Sequence, residues 1–170
     1  SNVYEGIKAA AIEVKKNFII KPKFESELKS IEFCSTGSEE IFLEDVFVFP
    51  NLTTYTDDTN EVELVVDTID ELRQNPLQFV IGENQSGKTK LCSWIYLQLN
   101  KEASPCIYID LAQIGGSKDL NKILKDNFTN QQTGDFESWL SLSDKTIVLD
   151  NLTKEKTSIS FLEFVAKYFS

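Results

Sequence analysis

Eight consecutive residues have types and spacing that could do chemistry together: Gly82-Glu83-Asn84-Gln85-Ser86-Gly87-Lys88-Thr89. They read G-x-x-x-x-G-K-[ST] without a mismatch. Such a run is suited to gripping a polyphosphate. Glycines at both ends let the backbone curl until successive N–H groups point inward. A helix that follows adds the positive end of its dipole. Lys88 sets a cation between the outer phosphates, and the Thr89 hydroxyl is a ligand for Mg²⁺. Four constrained positions in a chain of this size match by chance on the order of one time in a hundred or more rarely.

A nucleotide–metal site also needs a carboxylate at the C-terminal end of a neighbouring strand. Thr146-Ile-Val-Leu-Asp150 supplies one. Asp110 also ends an apolar strand and is the rival. Asp150 is preferred, because the first strand after a phosphate-loop helix often has other duties. Many hydrolytic enzymes place Glu directly after this Asp to orient the attacking water; here the residue is Asn151. An amide positions water but is a poor base. The expectation is slow turnover at most, or switching by occupancy. Glu83 and Glu155 are the other candidate carboxylates, which the sequence does not place. The chain has no Asn-Lys-x-Asp segment, and neither Asp110 nor Asp150 is followed by x-x-Gly. ATP with Mg²⁺ is therefore the expected ligand, rather than GTP.

These groups need strands and helices to hold them. Leu77 to Gly82 reads as a short apolar strand, and Lys88 to Asn100 as a helix with Leu91, Ile95 and Leu99 on one stripe. Pro105 to Leu111 reads as a second strand. Residues 118–128 read as a helix capped by Ser117, and Asp135 to Leu142 as a short helix carrying Trp139. Thr146 to Asp150 reads as a third strand. A last helix begins at the capping box Ser160-Phe-Leu-Glu163. Alternating strands and helices imply a parallel sheet with crossover helices.

The first half reads less regularly. Residues 3–18 have the spacing of an amphipathic helix, and Pro22 is expected to stop it. Residues 23–38 are mixed and end in a Ser/Thr/Gly loop. Ile41 to Phe49 is expected to be extended, residues 53–60 a polar loop, Glu61 to Val66 a short strand and Asp67 to Gln74 a short helix. Phe18, Phe79, Trp94, Trp139 and Phe161 are expected in the core. The expected division is 1–38, an N-terminal helix and linker, and 39–170, the nucleotide-binding domain.

Composition excludes several alternatives. The chain has 170 residues and no histidine, which removes His-based triads and most zinc sites. Its three cysteines, Cys34, Cys92 and Cys106, form no close pair and read as reduced thiols of a cytoplasmic protein. No apolar run approaches a membrane span. Net charge is −10, from 17 basic and 27 acidic residues, which argues against nucleic acid as a partner. Residues 32–72 hold twelve Asp/Glu and no Lys or Arg. This block reads as a solvated face, or else as a surface for a basic partner. Ser1-Asn2 and the absence of methionine read as the remnant of a removed tag on an excised fragment.

Three segments together resemble the STAND-type, NACHT-like P-loop NTPases of signalling and, in bacteria, defence proteins. They are Gly82 to Thr89, Ile147-Val-Leu-Asp150-Asn151-Leu152-Thr-Lys154, and Phe47-Val-Phe-Pro50-Asn51-Leu52. The resemblance covers about residues 40–170. It implies a nucleotide-dependent switch set between an effector and C-terminal repeats, in which ATP gates oligomerisation. It implies phosphates on 82–89, Mg²⁺ on Thr89 and Asp150, Lys88 and Asp150 as the catalytic pair, and the Pro50-Asn51 segment near the base. Asn151 departs from the family's frequent second acid.

The fold expected is therefore α/β, a three-layer P-loop NTPase with a mainly parallel sheet and an N-terminal helical arm. The family's sheet has five parallel strands, so this chain is expected to be truncated at the C-terminus, with a tendency to self-associate or to lean on other domains of its parent. Two other classes compete with the switch. A P-loop small-molecule kinase would want an Arg-rich lid, and the chain's one arginine is Arg73, before the loop. A protein-interaction domain with a non-functional phosphate loop would act through 32–72.

Overall fold

The computed structural model describes residues 17–31, 41–50, 52, 54–55, 61–62, 68–72, 78–113 and 119–153. In chain order these form α1 (Pro22–Lys29), α2 (Leu43–Val46), β1 (Thr54–Tyr55), β2 (Glu61–Val62), α3 (Ile69–Leu72), α4 (Lys88–Lys101), β3 (Cys106–Asp110), α5 (Leu120–Gln131), α6 (Phe136–Leu140) and β4 (Thr146–Asp150). The expected helix after Ser160 lies outside the described residues, as does nearly all of the one over 3–18.

β3 and β4 pair in parallel, Cys106 opposite Thr146 through Asp110 opposite Asp150. β1 and β2 form a separate antiparallel pair. Side chains alternate across a strand, so β3 and β4 each offer two faces. Ile107, Ile109, Ile147 and Leu149 pack towards α5 and α6, against Phe128, Phe136 and Trp139. Cys106, Tyr108 and Val148 pack towards α4, against Tyr96 and Leu99. Helices therefore cover both faces of the parallel pair, the arrangement that continuous apolar strands require.

Periodicity and caps account for the helices that match expectation. α5 buries Ile123, Leu124 and Phe128. Its cap is Asp119, which accepts from the Lys122 N–H at 3.1 Å, rather than Ser117, which lies outside the described residues. Asp135 caps α6 in the same way, accepting from the Ser138 N–H at 2.8 Å. Each such cap satisfies a backbone donor that the first turn would otherwise leave unpaired.

Three local expectations need correction. The start of the stretch read as mixed, 23–38, is helical: Pro22 is the first residue of α1, where its missing N–H costs nothing. Ile41 to Phe49 is not extended throughout. Asp45 accepts from the Phe42 N–H at 3.0 Å, and that reciprocal bond closes the single turn α2. Residues 78–83 carry no strand. An apolar run favours extended chain, but a strand also needs a partner ladder. Phe79 and Ile81 are 55% and 88% exposed, so Phe79 is not a core residue. Phe18 and Trp139 are buried as expected, Trp94 is half-buried, and Phe161 lies outside the described residues.

The N-terminal segment is built into this body. Phe18 stacks edge-on against Phe128, with ring centroids 6.0 Å apart. Lys21 N–H donates to Gln131 C=O at 2.7 Å, and Thr133 N–H to Ile19 C=O at 2.8 Å. Phe24 of α1 meets Tyr96 edge-on at 5.6 Å. The outer edge of β3 is closed by a side chain: the Gln131 amide accepts from the Tyr108 N–H at 2.8 Å and donates back to the Tyr108 C=O.

Candidate functional site

The glycine loop runs from the unpaired segment into α4. Ser86 N–H closes a turn on Glu83 C=O at 3.3 Å. Gln85 and Gly87 both take left-handed backbone, with φ of 63° and 84°. Left-handed residues at 85 and 87 flank Ser86, the alternation of hands from which anion-binding backbone nests are built. For Gln85 that conformation costs about 1–3 kcal/mol, and glycine at 87 avoids the cost. Gly82 is needed for a different reason. A Cβ there would meet Ser86 Oγ at 2.9 Å, so a larger residue at 82 would force the Ser86 hydroxyl to turn away.

Gly87 is the N-cap of α4 and supplies no side-chain cap. The first intrahelical bond runs from Leu91 N–H to Gly87 C=O, 2.9 Å. The N–H groups of Lys88, Thr89 and Lys90 are thus the uncapped donors of a 14-residue helix, at the positive end of its dipole. Lys88 Nζ folds back into the loop. It donates to Gly82 C=O at 2.8 Å, to Glu83 C=O, and to Ser86 Oγ at 3.1 Å. Residues 82–87 and Thr89 are exposed. An uncapped helix N-terminus and an ammonium thus lie together at the head of α4, both groups of the kind that attract anions.

Asp150 ends β4 and is only 4% exposed. Its Oδ2 accepts from the Tyr108 hydroxyl at 2.7 Å and its Oδ1 from the Asn151 N–H at 2.8 Å. Two donors, one per oxygen, allow a carboxylate to stay buried. Burial pushes the Cys92 thiol up to about 12, and the nearby Asp150 carboxylate adds to that shift. Helix α4 packs against β4, the strand that Asp150 ends. Thr89 precedes Cys92 by three positions and shares its helix face. Burial also raises the Tyr108 phenol well above its ordinary value, with its bond to Asp150 as the next cause, so it remains a donor.

Asp110 has a different environment. Its Oδ1 accepts from Ala112 N–H at 2.9 Å and from Asn151 Nδ2 at 2.7 Å, and its Oδ2 from Gln113 Nε2 at 2.9 Å. It caps the turn that follows β3. Asn151, at φ 56°, uses its amide to tie the two strand ends together. Glu83 presents its carbonyl to Lys88, and Glu155 lies outside the described residues. Phe47 stacks on Trp94 of α4 at 4.9 Å, with Phe49 edge-on to the same ring at 5.3 Å. Pro50 is exposed, and Asn51 lies outside the described residues.

Sequence reasoning missed Tyr108. A phenol inside an otherwise aliphatic strand, Cys106-Ile-Tyr-Ile-Asp110, is the signal that could have found it, because a buried hydroxyl needs a partner. Among the described residues there is no group of three or more His, Cys, Asp or Glu placed to hold a metal. A nucleotide-bound Mg²⁺ needs none: one hydroxyl, one carboxylate and phosphate oxygens with water complete its shell. Among the described residues, no helix is long and apolar enough to cross a membrane. No family model matches the chain, and neither a curated protein nor a solved structure matches it.

Proposed function

We propose that this chain is a Mg-ATP-binding P-loop module that acts as a nucleotide-dependent switch, with at most slow hydrolysis, in a larger cytoplasmic signalling or defence protein. The observation that carries this reading is the loop at the head of α4. Its backbone alternates in hand across 85–87, its helix end is uncapped, and the Lys88 ammonium sits inside the curl. In this reading residues 82–89 bind the phosphates. Lys88 exchanges its contacts with the Gly82 and Glu83 carbonyls for phosphate oxygens. Mg²⁺, when bound, neutralises phosphate charge, and Thr89 and Asp150 are the groups that hold it.

Slow turnover is supported by Asn151. Its amide is engaged by Asp110, and it has no carboxylate to accept a proton from water. Switching by occupancy needs a partner that reads the bound state. Other domains of the parent protein, or a second copy, are the proposed readers. Phe79 and Ile81, exposed beside the loop, are the residues whose burial they would sense.

The test is calorimetric titration with Mg-ATP and Mg-GTP, on the wild type and on Lys88→Ala. Wild-type binding of ATP alone, weakened about a hundredfold or more in the variant with its thermal midpoint unchanged, supports the site. Equal ATP affinity in the two proteins would remove the phosphate assignment.

A further inference from the structure

Tyr108 is held more firmly than its position in a two-stranded ladder requires. Both its backbone groups are gripped by the Gln131 amide. Its ring lies edge-on to Tyr96 at 6.2 Å and tilted against Phe24 of α1 at 6.4 Å. In register it stands opposite Val148, so its hydroxyl reaches one same-face step further along β4 to Asp150 Oδ2, 2.7 Å away. The other oxygen of Asp150 is held by the Asn151 N–H. With a donor on each oxygen, the carboxylate loses its freedom to rotate.

We propose that Tyr108 is a positioning residue for magnesium, fixing the Asp150 carboxylate in the orientation in which it engages the nucleotide-bound metal. The inference rests on the P-loop reading above. A free aspartate must be ordered when the metal arrives; here the ordering is done during folding, by a donor whose own backbone and ring are immobilised. Hydrogen bonds to metal-ligating carboxylates typically matter by about 10–100-fold in metal affinity.

The experiment compares ATP affinity in Mg²⁺ with ATP affinity in EDTA, for the wild type, Tyr108→Phe and Phe24→Leu. The ratio of the two affinities isolates the metal's contribution. Tyr108→Phe keeps the ring and removes only the hydroxyl, and its ratio is expected to fall about tenfold with the EDTA affinity unchanged. Phe24→Leu loosens the packing but keeps the O–H, and is expected to lower the thermal midpoint with the ratio intact. An unchanged ratio in Tyr108→Phe, or an equal fall in Phe24→Leu, overturns the positioning role. Wild-type protein that binds ATP equally well with and without Mg²⁺ overturns the metal site itself, and this inference with it.

Discussion

On one side of β3 and β4 the chain buries Phe128, Phe136 and Trp139, with Trp139 stacked near Phe136 at 6.0 Å. On the other side, under α4, it buries hydroxyls, a thiol, an amide and the Asp150 carboxylate. The strands are the same; alternate residues face each way. The α5–α6 side has little to do but exclude water. The α4 side carries polar and charged groups, with Tyr96, Tyr108, Gln132 and Asp150 all hydrogen-bonded there, under the helix that carries the glycine loop. On the proposed function, the first face supplies apolar burial and the second the binding groups, so mutations on the two faces should fail in different assays.

The largest expected effect tests the first face. Trp139→Ala removes a side chain with no exposed surface and should cost about 3–5 kcal/mol in urea unfolding. A loss below about 1 kcal/mol would mean the apolar face is not the main support. Asp150→Asn tests the second face. ATP affinity in Mg²⁺ should drop about tenfold more than in EDTA, and equal losses would make Asp150 purely structural.

Alkali should also act through the α4 side. The Cys92 thiol rises from 9.0 to about 12, and burial drives Tyr96 and Tyr108 upward too. The folded state therefore keeps protons that the unfolded chain releases above about pH 9. Stability is full below that pH and falls as pH rises, by up to about 1.4 kcal/mol per pH unit for each group. Urea midpoints measured from pH 8 to 10.5 check the sign; a flat profile would mean these groups are not sequestered. The smallest effect is Asp135→Ala, which removes the cap of α6. It should lower the thermal midpoint slightly and leave ATP affinity unchanged.

Much of this architecture was legible because it depends on local pattern. β3 and β4 are short apolar runs ending in Asp, and α4, α5 and α6 have clear stripes or caps. What was not legible depends on partners distant in sequence. Gln78 to Ile81 has the composition of a strand, yet no described residue pairs with it. Pro22 looked like a stop because the residues before it were read as helix; only the extended backbone at Lys21 makes it a start. In the site, the loop and Asp150 were readable from spacing. The separation of Asp150 from Asp110 was not, because it depends on Tyr108, Ala112, Gln113 and Asn151 choosing between two aspartates side by side across the ladder.

The Gln131 clamp has a consequence for assembly. A side-chain amide has one donor and one acceptor group set like those of a peptide bond, and here it occupies the place where a neighbouring strand's backbone would sit on β3. That rim is plugged. In a parallel ladder the N–H and C=O groups of Ile147 and Leu149 point away from β3, and they form the opposite rim. The sheet is therefore a one-ended template. Any extended segment that lengthens it, from this chain or another, must add beside β4, next to the residue that ends in the Asp150 carboxylate.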